Sequence, residues 1–342
     1  MIPVQLDYTF QPGTNYFTNP IIIRGQTGMT VQGKRHNAGV SRMVYRGPPT
    51  LAPIQFIGCT RCTLQNLEIV DEAGCDATVL FTNTANPSAE GYSTGNRCVN
   101  VRVMNSGNGK ASRRAFSIDP TALGGPDANN DHHAYIDCGA YSYTEAGFYI
   151  IGSQSHDTHY VRCQAHDHGG RKPIGLHAAG AVFFAWERGG MNSNSTDFKL
   201  GTPETQAIIN GQNSENGQRF LTAELSGVAF VRATDVRWDG KPALNSPVVS
   251  VKGPGPWSIS NSYFAGINGV CPLLRFTGPS PGSLDLSGVM IRQHGGTVPT
   301  TPIVTCPATW ERRELGLIHQ MITADDKRVT KAIDVNQVTA VT

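Results

Sequence analysis

Acidic, basic and histidine side chains crowd one stretch of the chain. Seven of the ten histidines lie between residues 132 and 177, and the densest run is His166-Asp167-His168. If the chain stacks its turns, Glu145 of the preceding turn lies near Asp167, with Arg171 close by. Two carboxyl groups about 5–9.5 Å apart fit glycoside hydrolysis, whereas a base with a neutralising cation fits proton abstraction beside a uronate carboxylate. A polar turn layer produces such distances by chance, so Glu145, Asp167, His168 and Arg171 are candidates without an assigned role.

The same histidines raise the possibility of a metal site. His166 and His168, with Asp167 between them and His156 or His159 one turn away, have the donor types that bind a divalent ion. Neighbouring histidines on a loop are more often solvated or bonded to carbonyl groups. We therefore predict no bound metal and no cofactor.

Aromatic side chains are concentrated in Phe183-Phe184-Ala185-Trp186. Alternate residues of a strand face opposite ways, so Phe183 and Phe184 cannot both enter a core. One of them, together with Trp186, is expected to form an exposed patch for a subunit interface or a ligand. We take Tyr143, Phe184 and Trp186 as glycan-binding or interface candidates.

A repeated phrase indicates how these side chains are positioned. In each copy, a small polar residue is followed by two residues, two positions apart, whose side chains are of the kind that line a core. The phrase returns at intervals of 25 to 37 residues. Such self-similarity is typical of a solenoid whose repeats carry strands. The first residues of the eight phrases are Asn66, Asn100, Asp137, Arg162, Asp197, Gly227, Asn261 and Gly288. Most of these are Asn, Asp or Gly, which suit a bend because they tolerate the left-handed conformation.

A second strand is predicted after each phrase. Each candidate is short, rich in β-branched or aromatic residues, and bounded by turn-forming residues. The candidates are 79–81, 115–118, 148–151, 182–185, 207–209, 248–251, 273–276 and 303–305. Helical periodicity is nearly absent. The pattern predicts an all-β, right-handed parallel β-helix of about nine to eleven coils. Tyr149 and either Phe183 or Phe184 are expected to fill its core beside the small residues of the middle coils.

The solenoid is expected to have a cap at each end, because its terminal coils expose apolar faces. We predict an N-terminal cap over residues 1–18, the parallel β-helix over 19–306, and a C-terminal cap or intersubunit tail over 307–342. The tail differs from the coils because residues 310–315 are charged and residues 329–342 alternate β-branched with polar side chains.

Composition restricts the classes of partner. The net charge of +2 argues against a nucleic-acid surface, which needs clustered Lys and Arg. No apolar run approaches the roughly 18 residues of a membrane span. The N-terminal residues have neither the charged nor the apolar segment of a signal peptide, so we expect a cytosolic origin. The eight cysteines show no disulfide pattern and are expected to be free thiols in the core.

Phrases such as Cys62-Thr63-Leu64-Gln65-Asn66-Leu67-Glu68-Ile69 resemble the pectate-lyase-like superfamily of right-handed β-helices. The resemblance covers roughly residues 20–306 and rests on the repeat pattern, without an enzyme signature. It implies three hypotheses. The first is a structural phage virion protein, a capsid decoration or small tailspike-like component, that is trimeric, binds other virion proteins and is assembled in a host cytoplasm. The second is a polysaccharide lyase or glycoside hydrolase acting on acidic bacterial glycans, and the third is a non-catalytic protein that adsorbs to a bacterial surface glycan.

Overall fold

The computed structural model describes residues 7–34, 40–104, 110–167, 170–180, 182–201, 205–224, 230–279, 281–297, 299–323 and 325–337. Within these residues the chain forms 34 strands and one short helix, α1 (Pro87–Glu90). The first half of the strands are β1 (Tyr8–Phe10), β2 (Gly13–Phe17), β3 (Ile21–Arg24), β4 (Thr30–Gly33), β5 (Ser41–Tyr45), β6 (Ile54–Ile57), β7 (Thr63–Asp71), β8 (Ala77–Thr82), β9 (Arg97–Met104), β10 (Arg114–Ile118), β11 (Ala134–Ile136), β12 (Gly139–Ala140), β13 (Ala146–Ile150), β14 (Thr158–Val161), β15 (Gln164–His166), β16 (Ile174–Ala178) and β17 (Phe183–Glu187).

The second half follows the same rhythm of short strands. Its members are β18 (Gly190–Asn192), β19 (Thr196–Gly201), β20 (Gln206–Asn210), β21 (Asn213–Glu215), β22 (Leu221–Glu224), β23 (Phe230–Thr234), β24 (Arg237–Gly240), β25 (Pro247–Lys252), β26 (Trp257–Ser260), β27 (Tyr263–Gly266), β28 (Leu273–Thr277), β29 (Ser283–Ser287), β30 (Met290–His294), β31 (Val304–Thr305), β32 (Glu311–Leu315), β33 (Ile318–Ile322) and β34 (Arg328–Ala332).

These strands form two sheets. The smaller sheet has 11 parallel strands in the order β3-β6-β8-β10-β13-β16-β19-β22-β25-β28-β31, one from each turn of the chain. The larger sheet has 23 strands, and most turns contribute two of them, before and after a bend. Its pairings are parallel except for β33 with β34, which is antiparallel. The chain is therefore a right-handed parallel β-helix of about 11 coils, as the repeat pattern predicts.

From the coil of β7 to the coil of β33, one residue per coil makes the bend in the larger sheet. Strand register aligns these residues in a single column, which we call the bend column. Each of them has a positive φ and therefore the left-handed backbone conformation. The members of the bend column are Asn66, Asn100, Asp137, Arg162, Arg188, Gly211, Asp235, Asn261, Gly288 and Gly316. Asn, Asp and Gly reach this conformation at low cost, whereas arginine does so uncommonly. Arg162 and Arg188, with φ of 52° and 53°, are therefore the unusual members.

The bend column corrects the predicted phrase at Asp197, which lies in β19 of the smaller sheet. The predicted phrase at Gly227 lies outside the described residues. The bends between Arg162 and Asn261 are Arg188, Gly211 and Asp235. For the same reason the predicted segments 182–185 and 207–209 belong to β17 and β20 of the larger sheet rather than to the smaller one. The error arises because strands of both sheets alternate inward and outward, so either can match the phrase.

Aromatic rings fill the core of the middle coils, where the columns after the bend hold small Cys and Ala side chains. Tyr135 stacks on Tyr160 with ring centroids 5.1 Å apart, and Trp186 continues this column one coil further. Phe116 and Phe148 of the smaller sheet stack at 5.0 Å. Tyr149, which we expected in the core, is buried at 7% exposure, and its ring centroid lies 3.5 Å from Cζ of Arg114.

Strand pairing is continuous across both predicted boundaries. β1 and β2 pair with β4 and β5, so residues 8–17 extend the larger sheet, and β32 and β33 extend it after residue 306. The role of the two ends as caps stays a prediction. All eight cysteines are free and buried. In the described part of the chain, no helix has the length and apolar character needed to cross a bilayer.

Candidate functional site

Glu145 joins neighbouring coils through two arginines. It lies just before β13, where its Oε2 is 2.8 Å from Arg113 Nη2 and its Oε1 is 3.5 Å from Arg114 Nη2. Arg113 also contacts Asp76 at 3.2 Å, and the pKa of Arg113 is raised by that hydrogen bond and by the charge of Glu145. The carboxylate of Glu145 is thus engaged in an ion-pair network that ties three coils together.

The other predicted acid–base candidates lie after β15. Asp167 Oδ2 accepts a hydrogen bond from the backbone N–H of Lys172 at 2.7 Å, which closes the loop that also holds the half-buried Arg171. His168 lies outside the described residues. A catalytic role for Glu145, Asp167, His168 and Arg171 stays a prediction.

The three aromatic candidates face inward. Phe184 and Trp186 are both 0% exposed, and Tyr143 is 2% exposed. Residues 184 and 186 share one face of β17, and that face is the core side, which leaves half-buried Phe183 on the outer side. Tyr143 donates a hydrogen bond to Asn194 Oδ1 at 2.7 Å, and burial raises the pKa of its hydroxyl. The expected exposed patch of Phe184 and Trp186 is therefore corrected: none of the three offers a surface to a ligand.

The outer face of the strands that follow the bend carries a different set of polar residues. Side chains two and four residues after each bend point outward, because the residues between them line the core. The column four residues after the bend consists of Val70, Met104, Tyr141, His166, Asn192, Glu215, Asp239, Ala265 and Arg292. The column two residues after the bend consists of Glu68, Arg102, Gly139, Gln164, Gly190, Asn213, Arg237, Tyr263 and Met290. We call the strip of outward-facing side chains in these columns between Arg102 and Asp239 the outer groove.

Two carboxylates stand side by side in the outer groove. Glu215 of β21 and Asp239 of β24 are register partners on adjacent parallel strands. Adjacent strands are about 4.8 Å apart, so the two side chains leave the sheet at a spacing close to the 5–5.5 Å that separates the carboxyl groups of retaining glycosidases. Glu215 is exposed, while the side chain of Asp239 is only 17% exposed. The two acids thus share a face but differ in their contact with solvent.

Arg237 fixes the second of these acids. Its Nε donates a hydrogen bond to Asp239 Oδ2 at 2.7 Å along the same strand. That hydrogen bond, together with the charge of Asp239, raises the pKa of Arg237 above its usual value, and Glu215 contributes in the same direction. Arg237 therefore remains a cation beside Asp239.

More guanidinium groups border the outer groove at the bend. Arg162 binds Asp137 in a bidentate pair, with Nε and Nη2 each 2.7 Å from a carboxylate oxygen. The stem of Arg188 passes over Gly211 of the next coil, since a Cβ at Gly211 would lie 3.3 Å from Arg188 Cγ. Placing arginine in the left-handed conformation costs backbone strain, and such strain often marks a functional position.

A buried acid lies beneath the carboxylate pair. Asp197 is 0% exposed, and neither of its carboxylate oxygens has a hydrogen-bond partner among the described residues. Burial raises its pKa to about 7, against the opposing effect of the nearby polar groups of Ser214, Asn194 and Trp238. Ser214 and Trp238 are the core-facing residues of β21 and β24. Asp197 therefore lies on the core side of the strands that carry Glu215 and Asp239.

Two cavities elsewhere in the described structure have less suitable chemistry. A cavity of about 670 Å³ near the last coils is lined by Leu244, Ile267, Cys271 and His294 among others, without an acidic or basic Asp, Glu, Lys or Arg side chain among its described lining residues. A cavity of about 470 Å³ on the smaller sheet contains Lys199, Arg219 and a single acid, Glu224. Across the described ranges, no group of three or more His, Cys, Asp or Glu side chains is arranged to hold a metal ion.

The sequence pattern did not reveal Glu215 and Asp239 because it did not identify the bends at Arg188, Gly211 and Asp235. Counting four residues from the true bends, Gly211 and Asp235, leads directly to both acids. The available signal was the spacing of 23 to 26 residues between consecutive bends from Arg162 to Asn261, which is shorter than the 30 to 35 residues between the predicted phrases in that stretch.

Comparisons with known proteins give limited guidance. No protein-family model matches the chain, and no curated protein matches it. Its structure is similar to the crystal structure of an endo-xylogalacturonan hydrolase from Aspergillus tubingensis, at 8% sequence identity and a TM-score of 0.38, over 94% of this chain and 86% of that one. At this identity and TM-score, the likeness carries no conclusion about the fold or the activity of this chain.

Proposed function

We propose that the protein binds an acidic glycan along the outer groove and hydrolyses one glycosidic bond between Glu215 and Asp239. The observation that carries this proposal is the register pairing of these two acids on one outward face. They stand on rigid parallel strands rather than on loops, which favours a fixed separation. The acid–base chemistry then takes place on the outer face of the larger sheet instead of in the loop around Asp167.

The two acids have separate tasks in this reaction. Glu215, which is exposed, donates a proton to the departing glycosidic oxygen. Asp239, which Arg237 orients, supplies the carboxylate that attacks the anomeric carbon or activates the attacking water. Water adds across the bond, so the leaving sugar gains the proton and the other sugar gains the hydroxyl group. Arg237 acts through Asp239 and is a positioning residue.

The preference for an acidic glycan follows from the charges along the groove. Arg102, Arg162, Arg188 and Arg237 border it, and a guanidinium group matches the planar geometry of a carboxylate or sulfate. Asp137 and Asp239 neutralise two of the four arginines. Arg102 and Arg188 are the two that we assign to charged groups of the glycan.

The test is release of reducing ends from a panel of polygalacturonate, alginate, hyaluronan and xanthan, with dextran as the neutral control. We expect activity on at least one acidic polymer and a loss of at least about 100-fold in Glu215→Gln and in Asp239→Asn. Glu187→Gln is the matched control, because Glu187 is an exposed acid on the strand segment before the bend. Turnover that survives in both variants would overturn the proposal, as would the absence of turnover on every polymer.

The hypothesis of a trimeric virion protein stays a prediction, together with its virion partners and its binding to a bacterial surface glycan. Phe184 and Trp186 were its expected interface residues, and both are already buried within one chain. They therefore give it no support. The mass of the protein in solution, measured by light scattering, tests the trimer directly.

A further inference from the structure

An aromatic ring lies flat on the sheet at the far end of the outer groove. Gly139 occupies an outward position between Arg102 and Gln164 of the neighbouring coils, yet it is buried. The ring of Tyr141 covers it: a Cβ at Gly139 would lie 2.4 Å from Tyr141 Cε2 and 2.8 Å from its hydroxyl oxygen. Only glycine allows the ring to approach the sheet this closely.

Two contacts hold the ring in this orientation. The Tyr141 hydroxyl donates a hydrogen bond to Gln164 Oε1 at 2.7 Å. His166 meets the ring edge-on, with centroids 5.4 Å apart and planes at 88°. Because the ring is fixed before any ligand arrives, little side-chain entropy remains to be lost on binding.

Polar groups surround the ring on the side that faces the bend. A cavity of about 280 Å³ is lined by Tyr141, Gln164, Arg102, Asn100 and the Asp137–Arg162 ion pair, with Cys138 at its base. An aromatic face bordered by carboxylate, guanidinium and amide groups suits a sugar ring. The ring face attracts the C–H groups of the sugar, and the polar groups accept from and donate to its hydroxyl groups.

We propose that Tyr141, with the Asp137–Arg162 pair, forms a distal subsite that stacks one sugar unit of the bound glycan. β12 lies three coils from β21, so the subsite is about 14 Å from Glu215 at about 4.8 Å per coil. A short oligosaccharide seated at Glu215 and Asp239 does not reach it, whereas a longer one does. The inference rests on the proposed function for the location of the glycan, but its own readout is binding rather than cleavage.

The experiment measures the affinity of short and long oligosaccharides by calorimetry. The probes are trimers and longer oligomers of the acidic polymer that the wild-type protein binds best in the panel above. The background is Glu215→Gln/Asp239→Asn, so that the probe stays intact. We expect Tyr141→Ala to weaken the binding of the long oligomer by about tenfold and to leave the affinity for the trimer unchanged.

Two further variants separate stacking from folding. Tyr141→Phe keeps the ring and loses only the hydrogen bond to Gln164, so it should bind the long oligomer within about threefold of the background protein. Gly139→Ala keeps Tyr141 but pushes its ring off the sheet, and it should reproduce the loss seen in Tyr141→Ala. Urea unfolding of each variant identifies any loss that is merely a loss of structure.

The outcomes distinguish this inference from the proposed function. The subsite is overturned if Tyr141→Ala binds the long oligomer as tightly as the background protein does. It is also overturned if the affinities for the trimer and the long oligomer fall equally, even when hydrolysis is intact. If the dependence on Tyr141 and on chain length is found but no polymer is cleaved, the subsite stands and the hydrolase proposal fails. If none of the acidic polymers binds, both are overturned.

Discussion

Glu215 and Asp239 are register partners on adjacent parallel strands, and both side chains leave the same face of the sheet. A β-helix sets this spacing through its backbone, because each coil repeats the previous one at about 4.8 Å. The same repetition places Trp238 and Ser214 on the opposite side of these strands, within the core. The outer groove and the interior below it are therefore two sides of one rigid element.

Replacing Arg237 should lower the turnover number more than it changes the Michaelis constant. Arg237→Ala removes the hydrogen bond that orients Asp239, and a displacement of about 1 Å of a reacting group can cost about 100-fold in rate. We expect kcat to fall by about 10- to 100-fold, with partial recovery in Arg237→Lys. Steady-state kinetics on the best substrate would check this. An unchanged kcat would remove Arg237 from the mechanism.

Asp197→Asn should change how stability depends on pH. The folded-state pKa of Asp197 is about 7, above its ordinary value of 3.8. Between about pH 4 and pH 7, the Asp197 carboxyl is ionised in the unfolded chain but still protonated in the folded protein. The free energy of unfolding therefore falls as the pH rises through that range, and Asp197 adds no further change above it. Asn cannot ionise, and the variant should gain up to about 4 kcal/mol on the wild type between pH 4 and pH 7.

The measurement for Asp197 is the difference between the two proteins in urea unfolding at each pH. The wild-type curve alone is ambiguous, because burial lowers the pKa of His133, His177 and His319 to about 4. Because of these histidines, the folded protein loses stability as the pH falls below 6.5, their ordinary pKa. Their contribution to stability therefore rises with pH, whereas that of Asp197 falls. The contribution of the histidines cancels in the difference. A difference that does not vary between pH 4 and pH 7 would contradict the buried, unpaired carboxylate.

Trp186→Ala should destabilise the protein without affecting its association. The indole is fully buried against Phe148, Tyr160 and Phe198, and its Nε1 donates to Gln212 Oε1. Truncating a buried aromatic costs about 3–5 kcal/mol. Trp186→Phe, which keeps most of the volume, should cost less. Urea unfolding and light scattering together check this: a loss of oligomers at unchanged stability would instead support the interface role expected from the sequence.

Glu145→Gln should leave any glycosidase activity unchanged. The substitution weakens contacts with Arg113 and Arg114, and partly exposed ion pairs of this kind contribute less than about 1 kcal/mol. We therefore expect a small loss of stability and wild-type kcat. Reducing-end assays on the wild type and the variant test the point. A 100-fold loss in Glu145→Gln would return the active site to the loop around Asp167.

The fold was predictable because the bend leaves a chemical trace. Asn66, Asn100, Asp137 and Asn261 are residues that accept the left-handed backbone, and all four occupy the bend column. The bend at Arg188 could not be identified in this way, since arginine is not a residue type that indicates the left-handed conformation. Asp197 then matched the phrase because its strand in the smaller sheet alternates in the same way.

The outer groove was not predictable, because it depends on register rather than on composition. Glu215 and Asp239 are 24 residues apart and share no local motif. Histidine density drew attention to the loop at Asp167, where the residues are close in sequence. The direction of Trp186 followed the same rule: its side chain points inward because of its place in β17, and hydrophobicity alone does not distinguish a core residue from an exposed one.

The most direct test of the account is a crystal structure of Glu215→Gln with an acidic oligosaccharide that the wild-type protein cleaves. The account predicts a sugar chain along the outer groove, with its scissile bond between residue 215 and Asp239. An oligosaccharide bound instead at the cavity of Lys199 and Arg219 on the smaller sheet, or in the loop around Asp167, would contradict it.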